Sequence, residues 1–113
     1  MEVTYVFACL TVADRDRAVA WYERLLGRPP TFLPNEDEAV WQLAATASLY
    51  LLVDAARAGH SIVTLVVDDL NATVRAIGER GIAPGPIDEI TGAGRKSTIR
   101  DPDGNAVSIV EIT

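Results

Sequence analysis

Few side chains in this chain could act as nucleophile, base or metal ligand: a single cysteine, Cys9, a single histidine, His60, and the phenol of Tyr50. A thiol attacks only when a base or a positive neighbour holds it as thiolate, so Cys9 would need His60 brought across from a distant strand. A bound divalent metal draws imidazoles and carboxylates in sets, and one histidine makes no set. Cys9 therefore reads as a small hydrophobe on a strand face, and His60 as a solvent-facing or ligand-contacting group at a strand start. The run Gly92-Ala93-Gly94-Arg95-Lys96-Ser97 resembles a phosphate loop. It fails on spacing and on the strand that follows where a helix is required, so it reads as a hairpin entry that projects Lys96, with Arg100 further on.

Those groups must be positioned by a repeat. Phe7-Ala8-Cys9-Leu10-Thr11-Val12-Ala13-Asp14 returns 55 residues later as Ile62-Val63-Thr64-Leu65-Val66-Val67-Asp68-Asp69. In each copy an alternating strand ends on an aspartate, and an amphipathic stretch ending in glycine follows. Asp14 caps a helix over about 15–26, with Ala18, Tyr22, Leu25 and Leu26 in one stripe and Gly27 and Pro29-Pro30 behind it. Asp69 caps a second helix, with Leu70, Val74 and Ile77 in register, ending at Gly81. Strands are expected near 31–33, 39–44 and 48–53 in the first half, and near 87–90, 95–100 and 105–112 in the second. Asp101-Pro102-Asp103-Gly104-Asn105 suits a type I turn between the last two.

The expected organisation is one domain over 1–113, with a first module over about 1–54, a linker at 55–59 and a second module over about 60–113. Each module is βαβββ. The period of two puts Val6, Ala8, Leu49, Leu51, Val63, Leu65, Val107 and Ile109 under the helices. It puts Tyr5, Phe7, Tyr50, Ile62, Thr64 and Ser108 on the opposite faces, where a cleft would be lined.

Net charge is −6, and the densest clusters are acidic, Glu36-Asp37-Glu38 and Asp88-Glu89. Nucleic acid is excluded as a partner on that balance, because phosphate binding needs clustered lysine and arginine. No apolar run reaches membrane-spanning length, and the chain opens on an alternating strand rather than a signal pattern. With one cysteine and no intramolecular disulfide, a cytoplasmic location is expected.

The strand entering Asp14, Trp21-Tyr22 with Leu25-Leu26-Gly27, and Asp101-Pro102-Asp103-Gly104-Asn105, in this order on a 55-residue repeat, resemble the vicinal oxygen chelate superfamily. That superfamily includes glyoxalase I, extradiol dioxygenases and the bleomycin resistance proteins. The resemblance implies an α+β fold in which two βαβββ modules curl a mixed sheet into a partly closed barrel around a central cleft. It also implies a homodimer, with exchange of a module or strand between chains open. Its enzymes hold a divalent metal through a histidine on the first strand of a module and a glutamate on its last. Here those positions fall on Phe7, Ile62, Tyr50 and Ser108, none of them a usual ligand, the Tyr50 phenol coming nearest to one. No catalytic residue, metal ligand or cofactor is assigned. The resemblance also places the strand around 39–44 in the cleft wall, where Trp41 could stack on a ligand, although alternation leaves its orientation open.

Two readings of function follow. The first is a metal-free protein that binds and sequesters a small aromatic or cationic antibiotic or metabolite, through Tyr5, Phe7, Trp41, Tyr50, His60, Ile62, Thr64 and Ser108. The second is an enzyme of the same superfamily, a lyase, isomerase or dioxygenase-like protein, with an unorthodox or absent metal site.

Overall fold

The computed structural model describes residues 1–113. The first half runs β1 (Val6–Val12), α1 (Arg15–Leu26), β2 (Phe32–Asn35), β3 (Glu38–Ala44) and β4 (Ala47–Val53). The second runs β5 (Ile62–Val66), α2 (Leu70–Glu79), β6 (Asp88–Ile90), β7 (Gly94–Arg100) and β8 (Ala106–Ile112). Both helices start where expected and for the reason expected. The Asp14 carboxylate accepts the Arg17 amide at 3.1 Å, and the Asp69 carboxylate accepts the Ala72 amide at 3.0 Å. Helix α1 ends on Gly27 in the left-handed region, with φ of 77°. No side chain belongs there, because a Cβ would also lie 3.2 Å from the Arg80 guanidinium, which reaches over from the other module.

Each half makes one four-stranded mixed sheet, in the orders β1-β4-β3-β2 and β5-β8-β7-β6. In both, the first strand pairs parallel to the last, and the remaining pairs are antiparallel. Neither sheet is closed and no ladder joins them, so the expected partly closed barrel is replaced by two open sheets. The reason lies at the facing edges. Beside β5 the Thr11 amide donates to the Ser61 hydroxyl at 3.2 Å, a side-chain contact where a continuous barrel would need main-chain pairs.

The helices and the inward strand faces share one core. Leu10, Val12, Tyr22, Leu25, Trp41, Leu49 and Leu51 from the first half meet Leu70, Ile77, Ile82, Ile99, Val107 and Ile109 from the second. Trp21 belongs to it as well, its ring 4.8 Å from that of Tyr22 and edge-on.

The turn between β7 and β8 does more than reverse the chain. Asp101 Oδ1 accepts three main-chain amides, from Asp103, Gly104 and Asn105, each at 2.9 Å. Asp101 Oδ2 accepts the Tyr22 hydroxyl and the Asn105 amide group, both at 2.8 Å. Asn105, fully buried, also donates to the Thr11 carbonyl at 2.7 Å and accepts the Ser61 amide at 2.8 Å. A turn read as punctuation is thus the polar clasp between the modules. Every buried donor in it is satisfied, which a buried carboxylate requires.

Candidate functional site

Period-two alternation delivers the outer faces as expected, but Val6, expected under the helices, lies at the start of β1 beyond their cover and is 57% exposed. On the first sheet Tyr5, just ahead of β1, stacks on Phe7 with ring centroids 4.8 Å apart, and Phe7 meets Tyr50 edge-on at 6.1 Å. Phe7 is 56% exposed, so this aromatic group is presented to solvent rather than packed away. The Tyr5 hydroxyl and the Ser48 hydroxyl lie 2.5 Å apart, which fixes that ring against β4. Tyr50 faces Cys9 across the β1–β4 pair. The Cys9 sulfur, first through hydrogen bonding and then through charge, pushes the Tyr50 phenol above its ordinary pKa, with burial and Glu38 adding.

The second sheet presents a different surface. Thr64 and Ser108 are register partners, and Ser108 shares a 3.0 Å hydroxyl–hydroxyl bond with Thr98. They line an open cavity of about 580 Å³ with Ile90, Lys96, Val110 and Ile112. Ile62, at the position equivalent to Phe7, is 79% exposed. Lys96 thus points to this face, whereas its neighbour Arg95 turns to the helix side and pairs with Glu111 at 3.3 Å. Glu111 in turn accepts the Leu70 amide at the start of α2.

The structure therefore gathers Tyr5, Phe7 and Tyr50 on one sheet and Thr64 and Ser108 on the other. The cavity over Thr64 and Ser108 is lined by the second sheet and the residues beside it, and the two sheets are not joined, so one chain offers two open faces rather than one closed barrel. Trp41 joins neither. It is wholly buried on the helix side, its ring 6.1 Å from Tyr22 and its indole N–H donating to the Arg28 carbonyl at 2.9 Å. That corrects the stacking role considered for it, since a ring held on both faces by the core has none to offer a ligand.

His60 is exposed just ahead of β5. It lines a cavity of about 440 Å³ at the junction of the two sheets, together with Cys9, Thr11, Arg57 and Ser61. Sequence reasoning missed two features here: the clasp through Asp101, and a group of arginines (Arg24, Arg28 and Arg80) around the end of α1. Both join residues too distant in the chain for any local pattern to link.

Metal binding can be tested on donor chemistry. Phe7 and Ile62 offer no donor atom, the Ser108 hydroxyl is engaged with Thr98, and the Tyr50 phenol is a lone oxygen whose pKa the Cys9 sulfur raises. No group of three histidine, cysteine or acidic side chains converges elsewhere. The residues at the four positions do not fit a divalent ion held in the superfamily's manner.

Paired βαβββ modules with matching sheet orders, back to back around one core and with side-chain-lined outer faces, define a class of small binding and catalytic domains. The chain belongs to the Glyoxalase/Bleomycin resistance protein/Dioxygenase superfamily, whose sequence profile matches residues 4–109. A glyoxalase / bleomycin resistance protein from Catenulispora acidiphila is similar over 96% of this chain and 98% of its own, with 40% identity and a TM-score of 0.90. The bleomycin-binding protein of the bleomycin-producing Streptomyces verticillus, solved with copper(II)-bleomycin, shares the fold at a TM-score of 0.81 and 21% identity, covering 100% of this chain and 99% of its own. TnmS3, an antibiotic binding protein from a Streptomyces species, does so at 0.77 and 22%, covering 100% and 97%. No curated protein matches the chain in sequence. No helix is long and apolar enough to cross a membrane.

Proposed function

We infer that this protein binds and sequesters a small aromatic or cationic molecule, an antibiotic or a metabolite, without a metal ion and in the cytoplasm. The observation that carries this reading is the solvent-facing group of Tyr5, Phe7 and Tyr50 on the strands where the superfamily's enzymes would place metal ligands. Rigid aromatic rings supply contact area at low entropic cost, and Glu38 beside Tyr50 gives a cation a reason to settle there. Relatives of the same fold that bind bleomycin and other antibiotics support the assignment.

The site is completed by a second copy of the chain. Phe7, Phe32 and Leu33 on the first sheet and Ile62, Val66 and Ile112 on the second are all more than half exposed. Apolar faces of that extent are protected most simply by pairing. Light scattering should give twice the 12.2 kDa chain mass at micromolar concentration, and a monomer throughout would overturn the shared site.

Calorimetric titration against cationic aromatic antibiotics, with Phe7→Ala and Tyr50→Ala beside the wild type, tests binding directly. Affinity indifferent to both substitutions would move the ligand off the first sheet. Elemental analysis of protein purified without a histidine tag tests the metal. Zinc, iron, nickel or manganese near one per chain would remove the metal-free reading. An enzyme working without metal has one observation in its favour, the cavity shared by Cys9 and His60. Turnover of a bound compound, lost in Cys9→Ser, would establish it.

A further inference from the structure

A crevice of about 430 Å³ opens where the two modules meet, lined mostly from the helix side and reaching Thr64 and Val66 at the β5 edge. Leu25 of α1 and Leu43 at the end of β3 form one wall, and Leu65, Val67 and Ile77 form the other. Apart from Thr64, Thr73 and Arg80, every lining residue is hydrophobic. That volume and composition are those of a small-molecule pocket, in which an apolar body is gripped and one or two polar groups set its direction.

Arg80 is the polar group that sets it. The Arg80 Nε donates to the Arg24 carbonyl and Nη2 to the Leu25 carbonyl, the latter at 2.8 Å, so the guanidinium is anchored by the last turn of α1. Nη1 makes no hydrogen bond within the protein, and Gly27 lets it approach the helix end closely. Arg80 is also the wall between this crevice and a second cavity, of about 580 Å³, where Arg24 and Arg28 stand with a single acid, Glu23. None of the three arginines pairs with a carboxylate, in a chain whose net charge is −6. The partial negative charge of the helix end offsets part of one guanidinium, not of three.

We propose that this seam is a second binding site, for a small amphipathic anion. Its carboxylate or phosphate head accepts from Arg80 Nη1 with Arg24 and Arg28 behind, and its apolar body lies in the crevice against Leu43 and Val67. The two features are independent: a hydrophobic crevice alone would take any apolar solute, and an arginine group alone any anion. Their meeting at Arg80 selects a molecule that is both. Of the outer-face residues that the inferred function invokes, Thr64 and Val66 at the β5 edge also line this crevice, whereas Tyr5, Phe7 and Tyr50 do not, so the two sites are separable at the first sheet.

Octanoate is the probe, titrated calorimetrically at constant ionic strength, with acetate and 1-octanol as its two halves. Octanoate should bind saturably at one per chain, acetate should not bind, and octanol should bind about tenfold more weakly for want of a charge-assisted bond. Leu43→Trp, which fills the crevice, should abolish octanoate binding, and Arg80→Gln should weaken it about tenfold. Should Arg80→Gln fail to fold, the exposed pair Arg24→Gln/Arg28→Gln tests the head group in its place and should weaken octanoate severalfold. Phe7→Ala should leave octanoate untouched. Unsaturable octanoate, octanol binding as tightly as octanoate, binding that survives Leu43→Trp, or loss of binding in Phe7→Ala would each overturn the proposal.

Discussion

The two modules share a topology, a register pattern and an aspartate cap at each helix, yet they diverge on their outer faces and in their last hairpins. Position by position, the helix-side residues exchange one apolar side chain for another: Leu10 for Leu65, Val12 for Val67, Tyr22 for Ile77. The outer positions exchange chemistry instead, Phe7 for Ile62 and Cys9 for Thr64. In the first module β3 and β4 join through Ala45-Thr46, whereas in the second β7 and β8 join through the buried clasp of Asp101 and Asn105. Packing against a shared core tolerates only side chains of fitting volume that are apolar or, like the Tyr22 hydroxyl, find a partner for each polar atom. The outer face carries no such constraint, so a repeat can keep its frame and specialise there.

The widest gap should open between the hairpins. Asp101→Ala strips acceptors from the Tyr22 hydroxyl, the Asn105 amide and three main-chain amides, and should cost on the order of 5 kcal/mol. Thr46→Ala, in the exposed turn of the other module, should stay within about 0.5 kcal/mol. Urea unfolding measures both. Equal losses would mean that the clasp is an ordinary turn.

The next contrast lies within the first module, between neighbouring strands. Trp41→Ala empties a core site and should cost about 3–5 kcal/mol. Tyr50→Ala, on the outer face of β4, should leave stability nearly unchanged and show itself only in ligand affinity. A Trp41→Ala protein as stable as the wild type would contradict the burial of that ring. Because both tryptophans sit in the core, fluorescence should follow unfolding better than binding.

What the sequence disclosed tracks the range of the interaction. Helix α1 was legible to the residue because Asp14 and Gly27 act within one turn of its ends. The outer positions of β1, β4, β5 and β8 were legible because alternation is local and one face is apolar. Trp41 was not, since Ala39, Val40, Trp41 and Leu43 are apolar on both alternations. The clasp was not, because Asp101 finds Tyr22 across 79 residues and Asn105 finds Thr11 across 94. Nor was the separation of the expected cleft into two faces, which depends on how the β1 and β5 edges meet. The group of Arg24, Arg28 and Arg80 was not legible for the same reason, since Arg80 comes from the other module.

Tyr22 and Ile77 offer a third contrast, in pH. Burial, and then the Asp101 carboxylate, raises the Tyr22 phenol far above its ordinary value. The folded protein therefore keeps a proton that the unfolded chain releases above about pH 10. Stability from this group is complete below that pH. It falls as pH rises further, by up to about 1.4 kcal/mol per unit. Tyr22→Phe should lose roughly 1–2 kcal/mol at neutral pH through its missing hydrogen bond and then decline less steeply above pH 10. Parallel wild-type and variant curves in chemical unfolding from pH 8 to 11 would show that the phenol ionises freely in the fold.

The finest contrast is between Phe7 and Ile62, equivalent positions on β1 and β5 that are both largely exposed. Neither supports the core, so each alanine variant should unfold within about 0.5 kcal/mol of the wild type. Affinity should separate them. Phe7 stands in an aromatic group with Tyr5 and Tyr50, so losing its ring should cost an aromatic ligand about 0.5–1.5 kcal/mol beyond the lost contact area. Ile62 has only area to lose, and its truncation should weaken binding by less. In a dimer where the second sheet of one copy faces the first sheet of the other, both substitutions would touch the same ligand, and their effects should fall short of additivity. Strictly additive losses in the double variant would place the two residues at separate sites, and a larger loss from Ile62→Ala would make the second sheet, not the first, the ligand's principal wall.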